Sequence, residues 1–183
     1  MRIIAGKYRG TRLASLGKGD PAAHLRPTTA RVRESLFNVL NAHVDWDGAR
    51  VLDVFAGTGT LGLEAISRGA SFCAFVENGR AGQRLITENI AKLRAEDATK
   101  LLRNDATRLG PAMFEPFDLI FLDPPYGRDL GPRTLTNLHA QGWLAKDAII
   151  CLEDDTPIPA PDGFETVDQR TYGGTHISLL TIS

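Results

Sequence analysis

Strand-like and helix-like segments alternate from residue 50 to residue 152, and this alternation constrains the fold more than any other feature of the chain. The pattern predicts strands over 50–55, 71–76, 100–103, 117–122 and 148–152, with helices over 61–68, 80–93, 107–113 and 130–140. Such an alternation predicts an α/β fold with a mostly parallel, Rossmann-like sheet and helices on both faces. Two last strands, 164–171 and 176–182, are expected to end the sheet as an antiparallel pair.

The N-terminal region does not follow this pattern. Residues 2–5 and 11–16 are predicted to form a small β-hairpin, and a loop over 17–25 follows it. Thr28 or Thr29 is expected to cap a helix whose apolar positions recur at helical spacing. We therefore expect a hairpin extension over 1–25 and a main domain over 26–183, which together make one structural domain because 183 residues correspond to about one domain.

The charge is distributed unevenly along the chain. Residues 1–33 carry a net charge of +7, and the other 150 residues carry −8, although the total is only −1. A basic N-terminal arm on an acidic body indicates binding of a polyanion such as a nucleic acid. A solvated tail or a charged helix face would produce the same pattern, so charge alone leaves both interpretations open.

Several classes of protein are excluded by composition. No apolar run approaches the roughly 20 residues that cross a bilayer, and the first residues lack the apolar core of a signal peptide. Cys73 and Cys151 lie in apolar strand-like segments, which is typical of reduced core residues in a cytoplasmic protein. The four histidines have no metal-ligand spacing, so no metal site is expected.

A glycine-rich turn follows the first predicted strand of the sheet, between Asp53 and Gly62. Gly57, Gly59 and Gly62 fit the pattern of a dinucleotide site, in which a pyrophosphate binds a helix N-terminus. Asp53 would repel that pyrophosphate, whereas it would attract the ammonium group of S-adenosylmethionine. The carboxylate therefore favours S-adenosylmethionine over NAD, and a turn that binds no ligand is the remaining alternative.

Acidic residues also end the next two predicted strands. Glu77 follows the second strand at the position where a ribose-hydroxyl acceptor is expected. Asp105 follows the third strand, where its carboxylate suits the exocyclic amine of adenine. Each residue also has a purely structural interpretation, in which Glu77 is a solvated residue at the end of a strand and Asp105 is a helix N-cap.

The most specific motif is Asp123-Pro124-Pro125-Tyr126, at the end of the fourth predicted strand. Two prolines fix the backbone and remove two N–H donors, which leaves carbonyl acceptors beside a carboxylate and an aromatic ring. These groups suit a planar base that stacks on Tyr126 and donates its amine hydrogens to Asp123 and the Pro124 carbonyl. Holding both hydrogens turns the amine lone pair toward a methyl donor, so catalysis consists mainly of positioning and electrostatics.

With these motifs the chain resembles the class I S-adenosylmethionine-dependent methyltransferases of exocyclic amines, and more closely the bacterial 16S ribosomal RNA guanine-N2 methyltransferases. The closer resemblance rests on residues 3–10, 26–38 and 53–70 and covers nearly the whole chain. Residues 26–38 discriminate between families, because Asp-Pro-Pro-Tyr also occurs in adenine-N6 enzymes. One departure is Gly79, which stands where the family commonly has an acidic residue.

The resemblance implies a role for each group of candidate residues. It implies an S-adenosylmethionine site formed by Asp53, Gly57, Gly59, Glu77 and Asp105, and a flipped guanine held by Asp123, Pro124 and Tyr126. It implies an RNA-backbone surface formed by Arg9, Arg12, Arg26, Arg31 and Arg33. The expected partner is 16S rRNA within a 30S subunit or an assembly intermediate, and the expected enzyme is a cytoplasmic monomer. Alternatives are an adenine-N6 DNA or RNA methyltransferase and an RNA-binding assembly factor without catalysis.

Overall fold

The computed structural model describes residues 1–15, 29–125 and 129–183. Seven strands form one sheet in the order β3-β2-β1-β4-β5-β7-β6. They are β1 (Arg50–Val54), β2 (Phe72–Val76), β3 (Thr99–Leu102), β4 (Phe117–Leu122), β5 (Leu144–Asp154), β6 (Phe164–Tyr172) and β7 (Thr175–Ile182). Strands β1 to β5 pair in parallel, and β7 pairs antiparallel with both β5 and β6. The predicted fold class is confirmed.

Four helices cover the two faces of the sheet, and they are α1 (Ala30–Leu40), α2 (Thr60–Arg68), α3 (Arg80–Leu93) and α4 (Leu130–Ala140). The first three pack on one face, where Phe37, Leu63 and Ile86 belong to the same core cluster as Phe75 and Phe121. Helix α4 packs on the other face through the cluster that includes Leu135 and Leu138. The chain order reverses between β1 and β4, so the carboxyl ends of these strands form the usual ligand-binding edge.

The N-terminal segment packs against the main core. Ile3 and Leu13 are buried in the same cluster as the helices α1 to α3. The N-terminal residues pair as a short hairpin, with an antiparallel bridge between Arg2 and Arg12 and backbone hydrogen bonds from residues 3 and 13 to the carbonyls of residues 11 and 1. The pairing is short because the N–H groups of Ile4 and Ala5 donate to the carboxylate of Glu64. The predicted boundary at residues 25 and 26 lies outside the described residues.

Two other elements differ from their predicted extents. The helix expected over 107–113 is a 3₁₀ turn over Ala106–Arg108, because Pro111 lacks the N–H that a longer helix requires. Strand β5 begins at residue 144 instead of 148, and its register against β4 shifts between Phe117 and Leu119. The exposed Lys146 and Asp147 interrupt the apolar pattern there, so the sequence signal covered only the second half of the strand.

Other predictions from the sequence are confirmed. Thr29 caps α1, and its hydroxyl accepts the N–H of Val32. Cys73 and Cys151 are free, buried thiols. Among the helices that the structure describes, none is both long and apolar enough to cross a membrane.

Candidate active site

Three carboxylates stand where neighbouring parallel strands end. Asp53 lies in β1, and Glu77 and Asp123 immediately follow β2 and β4, the two strands that flank β1. The backbone N–H of Asp123 donates to the carbonyl of Val54 at 3.4 Å, so β4 stays beside β1 one residue beyond its formal end. The sheet therefore brings these three predicted site residues to one edge.

The turn between β1 and α2 has an unusual backbone. Phe55, Gly57 and Gly59 all have positive φ angles, of 59°, 55° and 73°. The left-handed conformation is unfavourable for a residue with a side chain, so Phe55 is a strained position of the kind that clusters at functional sites. Gly59 starts α2 without a side-chain cap. The N-terminus of α2 therefore begins at the edge where the carboxylates lie.

Asp53 is buried and holds the start of α2. Its Oδ2 accepts the backbone N–H of Gly62 at 2.9 Å, and the residue is only 2% exposed. Burial raises the pKa of Asp53 to about 7, although the hydrogen bond from Gly62 opposes this shift and the nearby Glu77 adds to it. A cation placed beside Asp53 would favour its ionised form.

Glu77 links the glycine-rich turn to the start of α3. Its Oε2 accepts the N–H of Gly57 at 2.8 Å, and its Oε1 accepts the N–H of Gly79 at 2.6 Å. A Cβ atom at position 79 would lie 2.9 Å from that same Oε1, so any side chain there would displace the carboxylate. The glycine at position 79, where the family commonly has an acidic residue, therefore leaves room for the Glu77 carboxylate to accept the backbone N–H.

The donor set of these two residues fits S-adenosylmethionine. Within residues 1–15, 29–125 and 129–183, no Lys or Arg side chain forms an ion pair with Asp53 or Glu77. Two buried carboxylates whose charge is balanced only by backbone N–H groups favour a ligand that brings a cation and hydroxyl donors. S-adenosylmethionine carries an ammonium group, a sulfonium group and two ribose hydroxyls.

Asp105 is exposed at the end of β3, where it caps the 3₁₀ turn. Its Oδ1 accepts both the N–H of Thr107 at 2.9 Å and the hydroxyl of Thr107 at 2.7 Å. These hydrogen bonds lower the pKa of Asp105. The capping alternative is therefore present in the structure, and a contact with adenine remains a prediction for this residue.

Asp123 and Pro124 form a rigid end to β4. Pro124 is buried, and a Cβ atom at Gly131 of α4 would lie 3.4 Å from its Cγ, so helix and loop are in close contact. Burial raises the pKa of Asp123 well above its usual range, and the charges of Glu153 and Asp53 raise it further. Such a carboxylate takes up a proton more readily than an exposed one. Tyr126 lies outside the described residues.

Glu153 is a site residue that sequence reasoning missed. It lies near the end of β5, it is 7% exposed, and its charge acts on Asp123. The signal was available, because Glu153 directly follows the apolar segment 148–152 as Asp123 follows 117–122. The same pattern, an acidic residue directly after an apolar strand, identifies Glu77 and Asp123.

The expected RNA-binding arginines fall into three groups. Arg9, Arg12 and Arg31 are exposed. Arg26 lies outside the described residues. Arg33 contradicts its expected role, because it is 1% exposed and its Nη2 donates to the carbonyl of Arg2 at 2.9 Å. Burial lowers the pKa of Arg33, and the nearby charge of Glu64 opposes that shift.

The N-terminal segment that carries Arg9 and Arg12 is fixed to α2. Besides the two bonds from residues 4 and 5 to Glu64, the N–H of Tyr8 donates to Ser67 Oγ at 3.0 Å. Arg68 also forms an ion pair with Glu64, with Nε and Oε1 3.0 Å apart. The fully buried Glu64 is therefore the anchor of this segment. In the part of the chain that the structure describes, no group of three or more potential metal ligands occurs.

The chain is similar to known proteins over most of its length. The family described as Conserved hypothetical protein 95 matches residues 1–181. Ribosomal RNA small subunit methyltransferase D of Escherichia coli (strain K12) is 41% identical over 155 residues, which are 85% of this chain and 75% of that protein. The putative rRNA methyltransferase YlbH of Bacillus subtilis (strain 168) is 35% identical over 188 residues, covering 98% of this chain and 97% of that one.

A solved structure extends the similarity to three dimensions. The putative methyltransferase yhhF from Escherichia coli superposes with a TM-score of 0.84 at 32% sequence identity, and the match covers 100% of this chain and 98% of that chain. The similarity therefore includes the N-terminal segment as well as the sheet.

Proposed function

This chain belongs to the Conserved hypothetical protein 95 family, and we propose that it transfers a methyl group from S-adenosylmethionine to the exocyclic N2 amine of a guanine in 16S ribosomal RNA. Its fold is that of the class I S-adenosylmethionine-dependent methyltransferases. The observation that most strongly supports the proposal is the position of Asp123 at the sheet edge it shares with Asp53 and Glu77, because donor and acceptor of the methyl group must meet there.

The cofactor end of the site is formed by β1 and β2. S-adenosylmethionine, when bound, supplies an electrophilic methyl group on a sulfonium sulfur. Asp53 would attract its ammonium group, and Glu77 would accept hydrogen bonds from its ribose hydroxyls. Gly57 and Gly59 let the backbone of the turn approach the ligand closely, and Asp105 would contact the adenine amine.

The acceptor end is formed by the residues after β4. Asp123 and the Pro124 carbonyl would accept the two hydrogens of the guanine N2 amine, which keeps the lone pair out of conjugation with the ring. As the amine nitrogen bonds to the methyl carbon, the bond from that carbon to the sulfonium sulfur would break and S-adenosylhomocysteine would leave; the amine would then lose one proton, which Asp123 is placed to accept. The raised pKa of Asp123 suits this role because it makes the carboxylate a stronger base. Tyr126 would stack on the flipped base.

The substrate is expected to be an assembled or partly assembled 30S subunit. A chain of 183 residues has little surface with which to identify one guanine in naked RNA. Arg9, Arg12 and Arg31 are exposed and would contact the RNA backbone. We further propose that the enzyme acts as a monomer in the cytoplasm, where its two free thiols would stay reduced.

Radiolabelled methyl transfer tests this function. Undermethylated 30S subunits, naked 16S rRNA and duplex DNA are each incubated with the protein and labelled S-adenosylmethionine, and the nucleosides are then separated. We expect N2-methylguanosine from the RNA samples, with more label from subunits than from naked RNA. Label in N6-methyladenosine or in DNA would refute the guanine assignment, and no label with intact cofactor binding would refute the enzymatic function.

A further inference from the structure

Glu153 and Asp123 occupy equivalent positions on neighbouring strands. Strands β4 and β5 are parallel, and Leu122 of β4 is the register partner of Leu152 of β5. Asp123 and Glu153 are the next residue on each strand, so their backbones are separated by about one strand spacing, roughly 4.8 Å. On its other side, Glu153 pairs with Ile177 of β7, which fixes the backbone from both directions.

Both carboxylates lie on the face of the sheet that α1, α2 and α3 cover. Side chains alternate along a strand, and Cys151 and Phe121 belong to the core cluster of that face, whereas Leu152 and Leu122 belong to the other. Glu153 is two residues after Cys151, so its side chain lies on the face covered by α1, α2 and α3. Asp123 is two residues after Phe121 and lies on the same face, because its N–H still donates to Val54 of β1 and the strand geometry continues to this residue.

The electrostatics agree with this placement. Burial raises the pKa of the Cys151 thiol, and the charges of Glu153, Asp123 and Asp53 raise it further, so all three carboxylates act on the same buried group. Glu153 is 7% exposed, so its side chain is largely shielded from solvent. Because Glu153 lies beside Asp123 on the neighbouring strand, a base held by Asp123 would also lie next to the end of β5.

We propose that Glu153 selects guanine by accepting the hydrogen bond of the ring N1–H while Asp123 and Pro124 hold the N2 amine. This inference rests on the proposed function. Glu153 is then a specificity-determining residue that decides which base is methylated. Asp123 and Pro124 orient the amine for the methyl transfer itself.

The chemistry of the two purines explains the selection. In guanine, the methylated amine is flanked by N1–H, a donor that a carboxylate accepts. In adenine, the atom beside the N6 amine is an unprotonated N1, and a carboxylate there would face a lone pair. Enzymes that read a flipped base use its Watson–Crick edge, and a buried polar group left unpaired strongly disfavours the wrong base. Asp-Pro-Pro-Tyr serves both guanine and adenine amines, so the residue beside it has to discriminate between them.

A Glu153→Gln variant tests the proposal. Its side-chain oxygen still accepts, but without charge, and its amide group can donate to adenine N1. On undermethylated 30S subunits we expect kcat/KM to fall about 10- to 100-fold, the range for losing a charge-assisted hydrogen bond. After the target guanine has been mapped with wild type, subunits with adenine at that position should become measurable substrates of Glu153→Gln, and the adenine-to-guanine ratio of kcat/KM should rise at least tenfold.

The matched control is Asp155→Asn, which makes the same change of charge two residues away at an exposed position. Its kcat/KM should stay within about twofold of wild type. A Glu153→Asp variant keeps the charge but shortens the side chain, so it should lose rate while its preference for guanine is retained. Binding of S-adenosylmethionine and the thermal melting point are measured on each variant to confirm that it is folded.

The outcomes separate this inference from the function on which it rests. Wild-type protein that methylates no guanine would refute the proposed function and the inference with it. Wild-type activity together with an unchanged kcat/KM and base preference in Glu153→Gln would refute the role of Glu153 alone. A loss of rate in a folded Glu153→Gln with no change in base preference would also refute it, since specificity is the property assigned to this residue.

Discussion

Asn89, in α3, forms hydrogen bonds with both backbone groups of Ala14. Its Oδ1 accepts the N–H of Ala14 at 2.7 Å, and its Nδ2 donates to the Ala14 carbonyl at 3.2 Å. The same Nδ2 donates to the carbonyl of Thr58, in the glycine-rich turn, at 3.1 Å. One fully buried amide therefore joins the N-terminal segment, the cofactor turn and α3.

Replacing Asn89 with Ala should destabilise the protein by at least about 3 kcal/mol, because three backbone groups lose their partner and each unsatisfied buried group costs roughly 1–3 kcal/mol. Urea unfolding of the variant measures the change. Asn38→Ala removes a side chain of the same type from an exposed position on α1 and should change stability by less than about 0.5 kcal/mol. Equal effects in the two variants would show that the three hydrogen bonds contribute nothing specific.

Asp53 should make the cofactor-free protein less stable as the pH rises. The pKa of Asp53 is about 7 in the fold, against 3.8 for an unperturbed Asp, so the folded state keeps a proton that the unfolded chain releases between these values. The free energy of unfolding therefore falls by about 1.4 kcal/mol per pH unit across that interval, or about 4 kcal/mol in total, and is flat above pH 7.

An Asp53→Asn variant tests this dependence. The amide oxygen still accepts the N–H of Gly62, but no charge is buried. In urea unfolding at pH 4.5, 6 and 7.5, the stability of the variant relative to wild type should increase with pH. The same variant should bind S-adenosylmethionine more weakly than wild type, by a larger factor at pH 8 than at pH 6. A difference in stability that does not change with pH would contradict the buried charge.

The sequence predicted the sheet and its ligand-binding edge because both depend on local patterns. An apolar strand that ends in a carboxylate places Asp53, Glu77 and Asp123 without any knowledge of tertiary contacts. The burial of Arg33 was not predicted because its charge suggested exposure, although its spacing places it on the buried stripe of α1 with Leu36 and Leu40. Its partner, the carbonyl of Arg2, comes from a segment 31 residues away in the sequence, and no local pattern identifies that contact. The sequence also does not show that Glu153 lies beside Asp123, because their proximity depends on the register between β4 and β5.

The exposed arginines Arg9, Arg12 and Arg31 should contribute to RNA affinity by neutralising phosphates. Their combined replacement with Ala should weaken binding of 16S rRNA and reduce the slope of log K against log salt by about 3, or about 1 for each arginine that neutralises a phosphate. The matched control replaces three other exposed basic residues, Arg94, Lys100 and Lys146, with Ala. A slope that falls equally in both triple variants would indicate nonspecific attraction, and an unchanged slope would place the RNA elsewhere.

Asp123 should be required for methyl transfer but not for cofactor binding. Replacing it with Ala removes the group that orients the amine and accepts its proton, so kcat should fall by about 10²- to 10⁴-fold. The Kd for S-adenosylmethionine should stay within a few fold, because the proposed cofactor residues belong to β1, β2, β3 and the turns that follow them, not to β4. Single-turnover rates and calorimetric binding measure the two quantities. Asp97→Ala, which removes an exposed carboxylate, is the control.

An Asp123→Asn variant should still orient the amine in part but cannot accept its proton. Its residual rate should therefore lose its dependence on pH in the acidic range. A wild-type kcat in Asp123→Ala would remove this residue from the mechanism and leave the Pro124 carbonyl as the remaining acceptor for the amine.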